Sequence, residues 1–295
     1  MGTVQNLQLK NEYPFTKEDF DNLRHILTSQ TGIELQDTKM QLMYSRLVRR
    51  LRVLELKSFD AYYKHLQDSL KKGKDDELLV MINAMTTNVT HFFREHHHFD
   101  FLAEHLDEIL QKHGKVRIWS CAASIGAEPW SIAMVVEKYK RSKPNADIKI
   151  LATDIDSSVL EKCQIGKYDL NPEVVAANEY LQKYLIPTKE PLGPGAVHNH
   201  INYKIDDKLR KHVEFKKLNL LHDWAGSIEK NFHFIFCRNV IIYFSKETQK
   251  TLFKKIDKKL PEDSYLFLGH SESLVNVSAN YKSLGHTTYK RLTDA

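Results

Sequence analysis

Polar side chains recur at one kind of place in this chain, directly after short apolar runs of β type. Asp154 follows Ile148–Thr153, Asn219 follows Val213–Leu218, and Arg238-Asn239 follow Phe234–Cys237. An acid closing a strand can accept both hydroxyls of a ribose, as in dinucleotide-binding folds. Capping the following helix is the alternative for Asp154, although Asp156 or Ser157 could take that role. A further run, Val116–Ser120, breaks into the small residues Cys121-Ala122-Ala123-Ser124-Ile125-Gly126-Ala127-Glu128 and restarts at Pro129 with Trp130, Ile132, Ala133 and Val136. That pattern is strand, tight loop, helix. Small residues let a ligand approach the backbone, proline suits a first helical turn, and Glu128 sits just ahead of the positive end of the helix dipole. One such turn is equally an ordinary packed βα connection. Upstream, Thr86–Glu95 sets small polar groups beside Phe92, Phe93 and Arg94, a composition suited to lining a pocket.

Other chemistries find less support. No G-x-G-x-x-G follows a strand, which argues against NAD or FAD, and no Walker A sequence is present. His96-His97-His98 invites a metal, but adjacent histidines on a helix point in different directions and no carboxylate stands at ligand spacing. A solvated or partly packed run, with no metal, is expected. Cys121, Cys163 and Cys237 form no CxxC or zinc pattern and read as reduced thiols. The net charge of +5 permits an acidic partner. The N-terminus lacks a signal-type apolar core and no apolar run reaches spanning length, so a cytoplasmic protein without membrane insertion is expected.

The elements that must position these residues fall into two regions. Phe15-Thr16-Lys17-Glu18-Asp19-Phe20 carries an N-cap, an acid three residues on and a hydrophobic staple, and Gly32 closes the helix. A second helix, about Asp37 to Leu54, has Met40, Met43, Leu47, Leu51 and Leu54 on one face. Arg46, Arg49, Arg50 and Arg52 occupy its other half, either as a solvated face or as a docking patch for an acidic helix. No aromatic residues interleave them, which disfavours nucleic acid. Helices follow after Ser58 and over Glu77–Met85. From Lys115, strand candidates Val116–Ser120, Ile148–Thr153, Val213–Leu218, Phe234–Cys237 and Tyr265–Leu268 alternate with helices, which predicts a mainly parallel sheet covered on both faces. Residues 178–210 interrupt it: Tyr184–Ile186 and Ile201–Ile205 flank a Pro/Gly-rich loop and predict an antiparallel hairpin. Tyr281–Leu284 and Thr287–Leu292 predict a second hairpin.

Taken in order, Thr87–Glu95, Trp119–Pro129, Ala152–Asp156, Phe236–Phe244 and Gly269-His270-Ser271-Glu272 resemble the chemotaxis receptor glutamate methyltransferases (CheR type). The resemblance runs from about residue 15 to 292. It implies a Rossmann-like class I methyltransferase sheet over 115–292 with a β-subdomain inserted at 178–210. An all-helical domain at 15–75 and a linker at 76–114 would precede it. It further implies S-adenosylmethionine as cofactor, S-adenosylhomocysteine as product, and glutamates of methyl-accepting chemoreceptors as substrate. A receptor tail peptide on the β-subdomain is a further implied contact.

Carried over by motif, Asn88, Thr90, Arg94, Glu128, Asp154, Asn219, Leu220, Asn239 and Val240 line the cofactor site. Arg94 and Tyr243 lie nearest the reacting methyl, and Arg46, Arg49, Arg50 and Arg52 become the receptor-docking face. The family's Gly-Glu-Glu-Pro is here Gly126-Ala127-Glu128-Pro129, so the acid matching the cofactor contact is kept and its neighbour is lost. A non-catalytic cofactor-binding adaptor is the alternative. An amino-methyltransferase ranks below it, because Asn239-Val240-Ile241-Ile242 lacks the Asn-Pro-Pro-type turn.

Overall fold

Helix α1 (Lys17–Thr31) starts where the capping chemistry places it. Thr16 Oγ1 accepts the Asp19 N–H at 3.1 Å, and the Thr16 N–H donates to the Asp19 carboxylate at 2.9 Å. Phe15 meets Phe20 edge-on, the staple expected from the sequence. Gly32 ends the helix at φ 70. The computed structural model describes residues 12–74, 76–86, 89–191, 197, 199–224, 226–228 and 231–292. It divides into two compact units, Met1–Thr86 and Thr87–Ala295. In the first, α1 is followed by α2 (Met40–Val53), α3 (Phe59–Lys71) and α4 (Asp76–Met85). Phe20, Leu23, Met43, Leu47, Leu51, Phe59 and Leu66 are fully buried there, matching the helical periodicity.

The second unit begins with α5 (His97–His113) and continues β1 (Val116–Ser120), α6 (Ala127–Lys140), β2 (Ile148–Asp154), α7 (Ser157–Ile165), β3 (Lys167–Leu170), α8 (Pro172–Ala176) and α9 (Glu179–Tyr184). Then come β4 (Leu185–Pro187), β5 (Ile201–Ile205), β6 (Val213–Lys217), β7 (Phe234–Phe236), α10 (Lys246–Asp257), β8 (Tyr265–Phe267), β9 (Tyr281–Gly285) and β10 (Thr288–Arg291). The main sheet has the order β6-β2-β1-β7-β8-β10-β9, parallel from β6 to β8, with β10 antiparallel to both its neighbours.

Alternation along the central strands supplies two cores. Val116, Ile118, Phe234 and Phe236 enter one apolar cluster, while Trp119, Ile235 and Cys237 enter the other. Each such side chain contributes about 1.5–3 kcal/mol on burial. β2 and β6 lie on one side of β1, and β7 and β8 on the other, so the chain order reverses beside β1. In such sheets the ligand crevice opens at that reversal, beyond the carboxyl ends of the strands.

Two local differences from the sequence reading bear on the site. Helix α6 starts at Ala127, two residues before Pro129, so Glu128 lies in its first turn. Gly126 precedes it at φ 95, where a Cβ would stand 2.7 Å from the Tyr168 hydroxyl and 2.9 Å from Cys163 Sγ. The inserted hairpin gains a third strand, giving the order β3-β5-β4, antiparallel throughout. With four residues and only Tyr168 buried, β3 is too short to register as an alternating pattern. No helix among the described residues is long and apolar enough to cross a membrane.

Candidate active site

Asp154 closes β2 and is 8% exposed. Its Oδ2 accepts the Ser124 N–H at 2.8 Å, and its Oδ1 accepts the Asp156 N–H at 3.0 Å. Asp156, not Asp154, caps α7, through the N–H groups of Ser158 and Val159. Asp154 therefore keeps lone pairs for an incoming donor. Burial pushes its pKa up to about 6, against the pull of those backbone N–H groups. The Leu218 N–H donates to the Asp154 carbonyl at 2.9 Å, which sets the next two residues beside the acid. Asn219 is half-buried and accepts the Leu221 N–H at 2.9 Å, and Leu220 is buried.

The hub of the site is Arg238, whose side chain is 1% exposed. Its Nη1 donates to Glu128 Oε2 at 2.8 Å. Its Nη2 stands 3.2 Å from Glu95 Oε2 and also donates to the Arg94 carbonyl. Glu128 Oε1 in turn accepts the Ser120 hydroxyl at 2.7 Å. One guanidinium thus ties the ends of β1 and β7 to the first turn of α6 and to the Arg94 segment. Burial raises the Glu128 pKa more than Arg238 and Ser120 lower it. For Glu95 the balance is reversed: burial pushes upward, but Arg238 and His270 outweigh it and hold the carboxylate below its ordinary range.

Asn239 follows Arg238 at φ 56. Glu272, 5% exposed, holds its loop by accepting the N–H groups of Asn239 (2.8 Å), Ile241 (2.9 Å), Ile242 (3.3 Å) and Gly269 (2.6 Å). Gly269 is glycine because the Asn239 amide packs onto it; a Cβ there would lie 2.2 Å from Asn239 Nδ2. Val240 packs against the second core cluster and Tyr243 is half-buried. The Tyr243 hydroxyl makes no hydrogen bond among the described residues.

Thr90 and Arg94 are half-buried, while Asn88 lies outside the described residues. Arg94 Nη1 donates to the Val89 carbonyl at 3.3 Å, and its Nε is 3.9 Å from Glu95 Oε1. Phe93, Glu95, Ser124 and Asn239 all have positive φ, between 49 and 57. Such conformations cost about 1–3 kcal/mol each and gather at functional sites.

The structure therefore joins Arg94, Glu128 and Asn239 through Arg238, and joins Asp154 to the β1 loop through Ser124. Sequence reasoning passed over Arg238, Glu95 and Glu272 as working parts. Arg238 was visible as a polar residue at a strand end, but its two acidic partners lie 110 and 143 positions away in the chain.

Two surface expectations change. The arginine face of α2 is largely engaged within the first unit. Arg50 grips Glu77 with Nε and Nη2 at 3.0 and 2.6 Å, and Arg46 Nη1 caps α4 through the carbonyls of Ala84, Met85 and Thr86. Arg52 pairs with Glu12, and Arg49 is exposed without an ion pair among the described residues. A helical wheel gives a face but not what packs on it. The histidine run is partly packed, as expected, with His96 exposed and His98 buried, but the expected absence of a nearby carboxylate does not hold. Glu95, three residues before His98 and at φ 57, holds its carboxylate 3.7 Å from His98 Nδ1, so an acid does stand near these rings.

Residues 88–290 match the family described as CheR methyltransferase, SAM binding domain, and residues 18–86 match its all-alpha domain. Chemotaxis protein methyltransferase 2 of Pseudomonas aeruginosa is 42% identical over 287 residues, covering 94% of each chain. The chemotaxis protein methyltransferase of Salmonella typhimurium is 37% identical over 283 residues, covering 96% of this chain and 93% of that one. That of Escherichia coli is 36% identical over 283 residues, covering 96% and 94%. With a class I methyltransferase strand order, a buried acid closing β2 and both domains matched in sequence, the chain belongs to the CheR family of S-adenosylmethionine-dependent chemotaxis methyltransferases.

Proposed function

We propose that the protein transfers a methyl group to glutamate side chains on the cytoplasmic helical bundle of bacterial chemoreceptors, giving γ-glutamyl methyl esters. The observation that carries this reading is the joining of the Arg94 segment to the ends of β1 and β7 through Arg238, with Asp154 beside them. S-adenosylmethionine supplies the sulfonium methyl. A glutamate carboxylate is ionised near pH 7, so no strong base is required of the chain. Alignment is what remains for the protein, worth roughly 7–11 kcal/mol. Arg94 orients the substrate carboxylate, its own contacts at 3.3 and 3.9 Å being loose enough to leave the guanidinium available. A partial contact suits this role, since a full bidentate grip would blunt the nucleophile. Tyr243 offers its hydroxyl near the transferred methyl.

At the adenosine end Asp154 accepts the ribose hydroxyls, flanked by Asn219 and Leu220. Thr90, Glu128, Asn239 and Val240, with Asn88, line the remainder. Each Glu128 oxygen already accepts one bond and retains a lone pair for another donor. Of the arginines on α2, Arg49 and Arg52 are the exposed ones for an acidic receptor segment.

Incubation with methyl-labelled S-adenosylmethionine and membranes carrying receptors from the same cell tests the reading. The expected label is released as methanol by mild base. Base-stable label would place the methyl on an amine and overturn the ester. Binding of S-adenosylhomocysteine without transfer to any receptor would favour an adaptor.

Ligand binding should also depend on pH. Two ribose hydroxyls need the ionised Asp154, so below about pH 6 binding must expel a proton. Affinity for S-adenosylhomocysteine is expected to rise from about pH 5 to about pH 7 and then level off, with Asp154→Asn weakening binding and flattening the profile. Calorimetric titration in several buffers reads this directly. Without ligand the sign is opposite. A folded pKa above the ordinary 3.8 gives stability that is complete below 3.8 and is lost as pH rises through about 6.

A further inference from the structure

Beside the active site, and sharing only Glu95 with it, lies a cluster of imidazoles around one carboxylate. We propose that Glu95, His97 and His98 bind a divalent transition metal of the zinc type. One ligand atom from each of the three lies within 4.8 Å of the others. Two imidazole nitrogens and a carboxylate oxygen form a ligand set that zinc takes with three protein groups and one open position.

His98 carries the argument. It is 0% exposed, and its Nε2 lies 2.8 Å from the His286 carbonyl. A carbonyl only accepts, so Nε2 bears the proton and Nδ1 presents a lone pair. That Nδ1 faces Glu95 Oε2 at 3.7 Å, and neither buried atom has a hydrogen-bond partner. Two acceptors directed at each other repel unless a cation stands between them. Their separation suits two ligands of one ion, each at about 2.0–2.2 Å. An N–H held by a backbone carbonyl is also the usual outer support of a metal-bound histidine, fixing tautomer and ring orientation. The His97 ring is 4.3 Å from that of His98 and completes the set.

The neighbouring Arg238 and His270 limit the site without filling it. Arg238 Nη2 approaches Glu95 Oε2 at 3.2 Å, and His270 Nδ1 lies 3.3 Å from Glu95 Oε1. A carboxylate has about four lone-pair positions, so Oε2 can serve both Arg238 and an ion. Because Glu95 is also a partner of Arg238, occupancy would stiffen the Glu95 turn. It contributes nothing to methyl-transfer chemistry.

The test is a titration of the metal-free, untagged full-length chain with Co²⁺, followed by displacement with Zn²⁺. One equivalent is expected to bind, with visible d–d absorption that Zn²⁺ abolishes and a melting temperature that rises with metal concentration. His97→Ala, at a half-buried position that leaves the Arg238 contacts in place, should weaken binding at least about tenfold. His96→Ala, outside the cluster, should leave binding unchanged. Failure to bind one equivalent, or equal binding by the His97→Ala and His96→Ala variants, overturns the proposal.

Discussion

Arg238→Met is expected to destabilise the methyltransferase unit by about 3–5 kcal/mol, the cost of leaving buried carboxylates without their cation. Glu95 and Glu128 have side chains only 11% and 12% exposed, and both lean on the same guanidinium. Methionine retains much of the volume over Phe99 but none of the charge. Urea denaturation of the full chain, followed by a signal from the second unit such as Trp119 and Trp130, measures the loss. Adding Glu95→Gln and Glu128→Gln should restore much of it, because the uncompensated charges disappear with the arginine; the triple variant would then lie well above the sum of its parts. The deficit of the single variant should also shrink toward acid pH, since burial already makes Glu128 easy to protonate. A loss below about 1 kcal/mol would mean that water reaches the acids and that Arg238 is not the hub.

Arg94→Ala is expected to reduce methyl transfer on the order of a hundredfold while the melting temperature stays close to that of the unmodified chain. The two outcomes separate because the side chain contributes little to the fold. It makes one 3.3 Å hydrogen bond to a neighbouring carbonyl and a 3.9 Å approach to Glu95. The contact that anchors the segment, from Arg238 to the Arg94 carbonyl, uses backbone and survives the substitution. Arg94→Lys should recover only part of the rate, since an ammonium restores charge but not a planar fork. Transfer within about threefold of normal in Arg94→Ala would remove this residue from substrate alignment.

The strands were legible because β1, β2, β7 and β8 are short, mostly apolar runs bounded by polar residues, with Asp154 standing out at the end of β2 and Asn239 after β7. The capped helix at Thr16 was legible because its signals are local. Glu272 was not, although it sat in a recognisable motif. Its part is to collect four backbone N–H groups, three of them on a loop some thirty residues earlier, and no local pattern encodes that. Arg46 and Arg50 had the right wheel position for a docking face, yet the wheel omits α4, whose Glu77 and terminal carbonyls they satisfy. Glu95 was overlooked although it lies only three residues before His98, because at φ 57 it stands outside the helix that carries the histidines.

Strand order also sets a timetable for synthesis. Ile118 of β1 pairs with Ile150 on one side, but its other neighbour is Phe234 of β7, which the ribosome reaches 116 residues later. At about 5–20 residues per second that is a wait of roughly 6–23 s. Throughout it, one edge of β1 offers unpaired backbone beside Val116, Ile118 and Trp119, an invitation to a neighbouring nascent chain. Ribosomes stalled within this window should yield the most aggregation-prone fragments of the protein and the strongest demand for chaperones.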